Sequence, residues 1–85
     1  MKHAGPEALS ALAALLAEIR KREGLVERRP GVFYRKGRAV LHFHEDPSGL
    51  HADVRLGAAW ERLRVETRAE RQALLSRLGE ALSKG

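Results

Sequence analysis

The sequence predicts a small α+β protein of order α-β-β-β-β-α, an antiparallel sheet with the N- and C-terminal helices packed on its apolar face. Three observations lead there. Leucines recur at helical spacing near both ends. The segment between, residues 32–65, alternates apolar and polar side chains. Turn-forming residues interrupt that segment at intervals suited to hairpins.

The N-terminal helix is expected over about residues 6–22. Pro6 suits a first helical turn, where the N–H it lacks would have no partner anyway. Leu9, Leu12, Leu15, Leu16 and Ile19 fall within an arc of about 120°. Lys21 and Arg22 sit at the negative end of the helix dipole, and Gly24 supplies the left-handed residue that ends it. Residues 26–30 read as a short charged connector, with Pro30-Gly31 as a turn.

Four strands are expected over about residues 32–35, 38–45, 50–56 and 60–65. Gly37 in Arg35-Lys36-Gly37-Arg38 permits a tight hairpin. Asp46-Pro47-Ser48-Gly49 is ordered as a type I turn. Gly57-Ala58 closes a third hairpin. The C-terminal helix is expected over about residues 68–83, opened by a capping box of Thr67 and Glu70. Leu74, Leu75, Leu78 and Leu82 form its apolar stripe, an arc of about 100°.

Side chains alternate between faces along a strand, so the turns decide which residues become neighbours. With Pro47 and Ser48 in mid-turn, Phe43 faces Ala52 and Leu41 faces Val54. The other face then pairs His44 with His51, His42 with Asp53, and Val40 with Arg55. With Gly57-Ala58 in mid-turn, the same face adds Arg64 beside His51, Arg62 beside Asp53, and Trp60 beside Arg55. The two hairpins agree on which face is polar. The facing of Val32, Phe33 and Tyr34 stays open. A two-residue loop turns Val32 and Tyr34 inward, and a glycine bulge turns Phe33 inward instead.

The composition excludes several functions. No cysteine is present, so there is no disulfide framework, thiolate metal site or cysteine nucleophile. No apolar run is long enough to span a bilayer, and no secretory signal pattern precedes the first helix, so a cytoplasmic protein is expected. The net charge is +5, with twelve arginines against four lysines. Asparagine is absent and glutamine occurs once, which fits a heat-adapted source or a GC-rich genome. A chain of this size buries only about 60–65% of its unfolded surface, so further stabilisation by a homodimer is expected.

The polar face offers three chemistries. Arg55, Trp60, Arg62, Arg64 and His51 combine cationic groups with an aromatic surface, the elements of a nucleic-acid or polyanion platform. Arg28, Arg29, Arg35, Lys36 and Arg38 cluster at one edge and could follow a phosphate backbone. His42, His44, His51 and Asp53 could hold zinc or nickel. Arg62 competes there for Asp53, and Arg64 repels a cation beside His51. The plainer alternative is a solvated face with a hydrogen-bonded His–Asp–Arg row. Third, Trp60 and Val40 ringed by arginine suit the centre of a homodimer interface. No catalytic residues are assigned: there is no glycine-rich phosphate loop, no oxyanion-hole motif and little expected concavity. The leading reading is a non-enzymatic binding module for an anionic partner.

One stretch carries a resemblance. Phe33 to Gly37 as F-x-x-x-G, followed by LHFHED-x-x-GL-x-ADV through Val54, resembles the core of small bacterial proteins with no assigned activity. It spans roughly a quarter of the chain. The resemblance implies a compact α+β domain and implies no chemistry.

Overall fold

The computed structural model describes residues 2–83. It is an α+β fold in which a six-stranded antiparallel sheet carries helices on one side. The chain runs β1 (Lys2–His3), α1 (Pro6–Ala11), α2 (Ala13–Arg20), β2 (Val26–Arg29), β3 (Val32–Arg35), β4 (Arg38–Asp46), β5 (Gly49–Val54), β6 (Glu61–Arg64) and α3 (Arg68–Ser83). The sheet order is β2-β3-β4-β5-β6, and β1 pairs with β4 off that path.

The expected first helix is present but divided and shorter. Leu12 leaves helical geometry at φ −94°, ψ 7°, and α2 ends at Arg20 rather than residue 22. The Leu12 N–H is shared between the carbonyls of Ala8 and Leu9, at 3.0 and 3.2 Å, so the break is a local tightening. Leu12 itself is fully buried, and the apolar stripe continues through it. Gly5 has no side chain to cap α1. Its N–H instead donates to Glu45 Oε2 at 2.6 Å, which ties the helix start to β4.

Residues 26–29 form a strand, not the connector expected. Their composition is charged and mostly exposed, so nothing in the segment's own pattern marks it. It is a strand because the turn at Pro30-Gly31 folds it back onto β3, with Gly31 at φ +77°. Glu27 holds the arrangement by accepting hydrogen bonds from Arg20 on α2 and from the Gly31 N–H.

The β3–β4 hairpin resolves the facing of Phe33. Lys36 and Gly37 both have positive φ, 52° and 81°, so the loop has two residues. A register shift follows at once: Tyr34 pairs with Ala39, but Phe33 pairs with Leu41. Val40 is the extra residue of a bulge in β4. The short loop is therefore combined with the facing expected of a bulge, and Phe33 turns inward, 1% exposed. The same bulge draws Val40 into the core. This corrects the expected outer row of Val40, Arg55 and Trp60. The Arg55 N–H does donate to the Val40 carbonyl, but the valine side chain is buried.

The β4–β5 pairing is as the turn chemistry requires, from Leu41 opposite Val54 to Asp46 opposite Gly49. The β5–β6 pairing also has the expected partners, His51 with Arg64 and Asp53 with Arg62. Both strands are shorter than expected, ending at Val54 and starting at Glu61, because residues 55–60 form an open loop in place of a tight turn. Glu61, opposite Val54, reaches over the sheet edge to pair with Arg77 of α3.

The core lies between the sheet and the helices. Leu12, Leu15, Leu16 and Ile19 meet Leu74, Leu75 and Leu78 over Phe33, Leu41, Phe43, Ala52, Val54 and Val65. The capping box at α3 is formed: Glu70 N–H donates to Thr67 Oγ1, and Glu70 Oε1 accepts from Thr67 N–H. Among the described residues no helix is long and apolar enough to cross a membrane.

Candidate functional site on the open sheet face

The pairings place one set of side chains on the face opposite the helices. Paired residues share a face, so His3 joins His44, His42 joins Asp53 and Arg62, and His51 joins Arg64. Tyr34, next to inward-facing Phe33, belongs to the same outer side. The odd–even arithmetic of the middle strands thus holds for His42, His44, His51, Asp53, Arg62 and Arg64.

Asp53 is the hub of the face. Arg62 clamps it with two parallel bonds, Nε to Oδ1 at 2.7 Å and an Nη to Oδ2 at 2.8 Å. That is the competition for the carboxylate expected from the cross-strand pairing. His44 Nε2 lies 3.1 Å from Asp53 Oδ2. The Arg62 guanidinium holds the Asp53 carboxyl below its usual range, against the opposing effect of burial. An ionised carboxylate only accepts, so His44 carries its proton on Nε2.

The histidines form a contiguous group. His44 Nε2 is 2.6 Å from His42 Nδ1. The His3 ring stacks on His44 at a centroid distance of 4.8 Å, and His42 meets His44 edge-on at 4.6 Å. Burial lowers the affinity of both His42 and His44 for a proton; His44 adds to the effect on His42, and Asp53 opposes it on both. His44 is 9% exposed, and its Nδ1 makes no hydrogen bond of good geometry among the described residues. His51 is half-buried and its Nδ1 is also unpartnered among those residues.

The potential metal ligands differ from the expected set. His3, His42 and His44 each offer a ligand atom, all within 4.8 Å of one another. His51 and Asp53 are outside that group. Sequence reasoning missed His3 because a two-residue strand has no periodicity to detect. Only its pairing with β4 brings it to the cluster.

Trp60 and Tyr34 are each paired with an arginine. The Arg55 guanidinium lies 4.8 Å over the Trp60 ring and also donates to the Ala39 carbonyl at 2.8 Å. Trp60 stays 42% exposed, with His42 against it edge-on at 4.9 Å. Arg28 lies 5.0 Å over Tyr34. Beside the Trp60 stack is a concavity of about 260 Å³ lined by Arg35, Lys36, Arg38 and Arg55 among others. Arg28, Arg35, Arg38 and Arg55 make no salt bridge with a carboxylate among the described residues. Arg64 lies 4.0 Å from Glu70.

This arrangement defines an α+β protein with one helix-covered sheet face and one open face carrying imidazole, guanidinium and indole groups. No protein family matches the chain, and neither do the curated proteins nor the solved structures.

Proposed function

We propose that the protein is a non-enzymatic binding module whose open sheet face takes an anionic partner, with single-stranded nucleic acid as the ligand that fits best. The observation that carries this reading is the Arg55–Trp60 stack at the rim of the basic concavity. A base needs an exposed π-surface, and the phosphates beside it need cations not already neutralised. Trp60 supplies the first and Arg55 the second, with Arg28 over Tyr34 on the same face; Arg35 and Arg38 pair on the other side of the strands, where Arg35 donates to the Ala81 carbonyl of α3. Arg62 contributes little, because Asp53 occupies its fork. Arg64 and His51 extend the same face across β5 and β6.

Titration of Trp60 fluorescence with single-stranded RNA and DNA at two salt concentrations tests the reading. Binding is expected to weaken with salt, with a logarithmic slope of roughly −2 for about three phosphate contacts. By anisotropy of a labelled strand, Trp60→Ala should weaken binding about 5- to 150-fold, the value of one stacked base. No response at low salt removes the proposal.

A second reading, a homodimer through this face, is favoured by the exposed Val26 and Trp60, at 58% and 42%. Sedimentation separates the two. A dimer that Arg62→Ala and Arg64→Ala together dissociate would assign the face to self-assembly.

A further inference from the structure

The three histidines gathered at the junction of β1 and β4 are not used by the nucleic-acid reading, and their geometry is unusual for a solvated surface. Two imidazole nitrogens, His42 Nδ1 and His44 Nε2, approach to 2.6 Å. With the His44 proton on Nε2, this contact is an N–H···N hydrogen bond that His42 Nδ1 accepts, and it fixes the two rings against each other. The His44 ring is nine-tenths buried, and its Nδ1 makes no hydrogen bond of good geometry among the described residues, although the Lys2 backbone interacts with the ring. A buried polar atom without a partner costs stability unless something satisfies it. Asp53 sits against Nε2 of the same ring, and Arg62 fixes Asp53 from the other side. A carboxylate on one nitrogen of an imidazole is the arrangement that orients the ring and makes its other nitrogen a better ligand.

We propose that His3, His42 and His44 form a tri-histidine site for a divalent transition-metal ion of the zinc class, with Asp53 orienting the His44 ring. The ligand atoms lie within 4.8 Å of one another, and zinc–nitrogen bonds of about 2.0–2.1 Å require them somewhat closer. His3 is exposed and enters from a two-residue strand, so its side chain has the freedom to close on the ion. All three donors are neutral nitrogen, which suits zinc, nickel or copper and disfavours magnesium or calcium. Three protein ligands leave a fourth position open, so the ion could hold water or an anion delivered to this face.

The test uses the full chain without a histidine tag, dialysed against chelator and titrated with cobalt(II), then zinc. The expected result is a visible d–d absorption that saturates at one cobalt per chain and is abolished by zinc. His3→Ala is the decisive variant, because the residue is exposed and its loss does not threaten the core; it should weaken cobalt binding at least 10-fold. Asp53→Asn should weaken it about 10- to 100-fold, as expected for a group that orients a ligand. His51→Ala, on the same face but outside the group, should bind as the parent does. Absence of the cobalt spectrum overturns the proposal. So does equal binding by the parent and His3→Ala, or a loss in His51→Ala matching that in His3→Ala, since either would place the ion elsewhere.

Discussion

Replacing Leu41 by alanine tests the division of the sheet into two faces. Leu41 is fully buried in β4, between Phe33 on β3 and Val54 on β5, which are also buried. The substitution removes about three methylene equivalents at about 0.8 kcal/mol each. Its neighbours are fixed by ladder hydrogen bonds and cannot collapse into the space. A remaining cavity of about 60 Å³ adds about 1.5 kcal/mol at ~24 cal/mol per Å³. The loss is therefore about 4 kcal/mol. A chain of 85 residues has about 4–13 kcal/mol in total, so the variant should sit near the limit of folding. Thermal unfolding followed by circular dichroism should show the midpoint falling by roughly 15–30 °C. Arg64→Ala, on the outer face, should change stability by no more than about 0.5 kcal/mol. A Leu41→Ala variant within about 1 kcal/mol of the parent would refute the face assignment, as would an Arg64→Ala loss of equal size.

Three further outcomes follow from local geometry. Gly31→Ala should destabilise by about 1–3 kcal/mol in urea unfolding, because Gly31 has φ +77° and a Cβ there would meet Leu9 Cδ2 at 2.8 Å. Thr67→Ala should cost about 1 kcal/mol, since it removes the acceptor for the Glu70 N–H at the start of α3. The third concerns pH. Hydrogen bonding to Arg20 lowers the Glu27 pKa, with the Gly31 N–H assisting. A carboxyl lowered on folding stabilises the protein above its unfolded pKa, and that stabilisation is lost as pH falls through the folded value. Unfolding measured from about pH 7 down to about pH 2 should therefore show an acid-dependent component that Glu27→Gln lacks.

The outer face was legible in the sequence where turns set register. Asp46-Pro47-Ser48-Gly49 places His42 opposite Asp53 and His44 opposite His51, and the alternation of Leu41, Phe43, Ala52 and Val54 permits no other parity. Even the open loop at residues 55–60 leaves the β5–β6 register unchanged, because a one-residue slip would bury Arg62 or Arg64. The helical stripes and the Thr67–Glu70 cap were equally readable, since each depends on side chains a few positions apart.

What the sequence alone could not decide were the features settled by pairing between distant or patternless segments. Val26–Arg29 is a strand only because β3 offers it an edge, and β1 exists only because β4 outruns β3. The bulge at Val40 chose Phe33 for the core over Val32 and Tyr34, since a ladder accommodates one extra residue more cheaply than a buried valine–tyrosine pair with a polar tip. Local periodicity thus determined the apolar stripes of the helical segments and the polarity of the central strands, but not the break at Leu12. Tertiary packing determined where β1 joins the sheet, and so which histidines meet, because that contact spans some forty residues and leaves no repeating pattern in between.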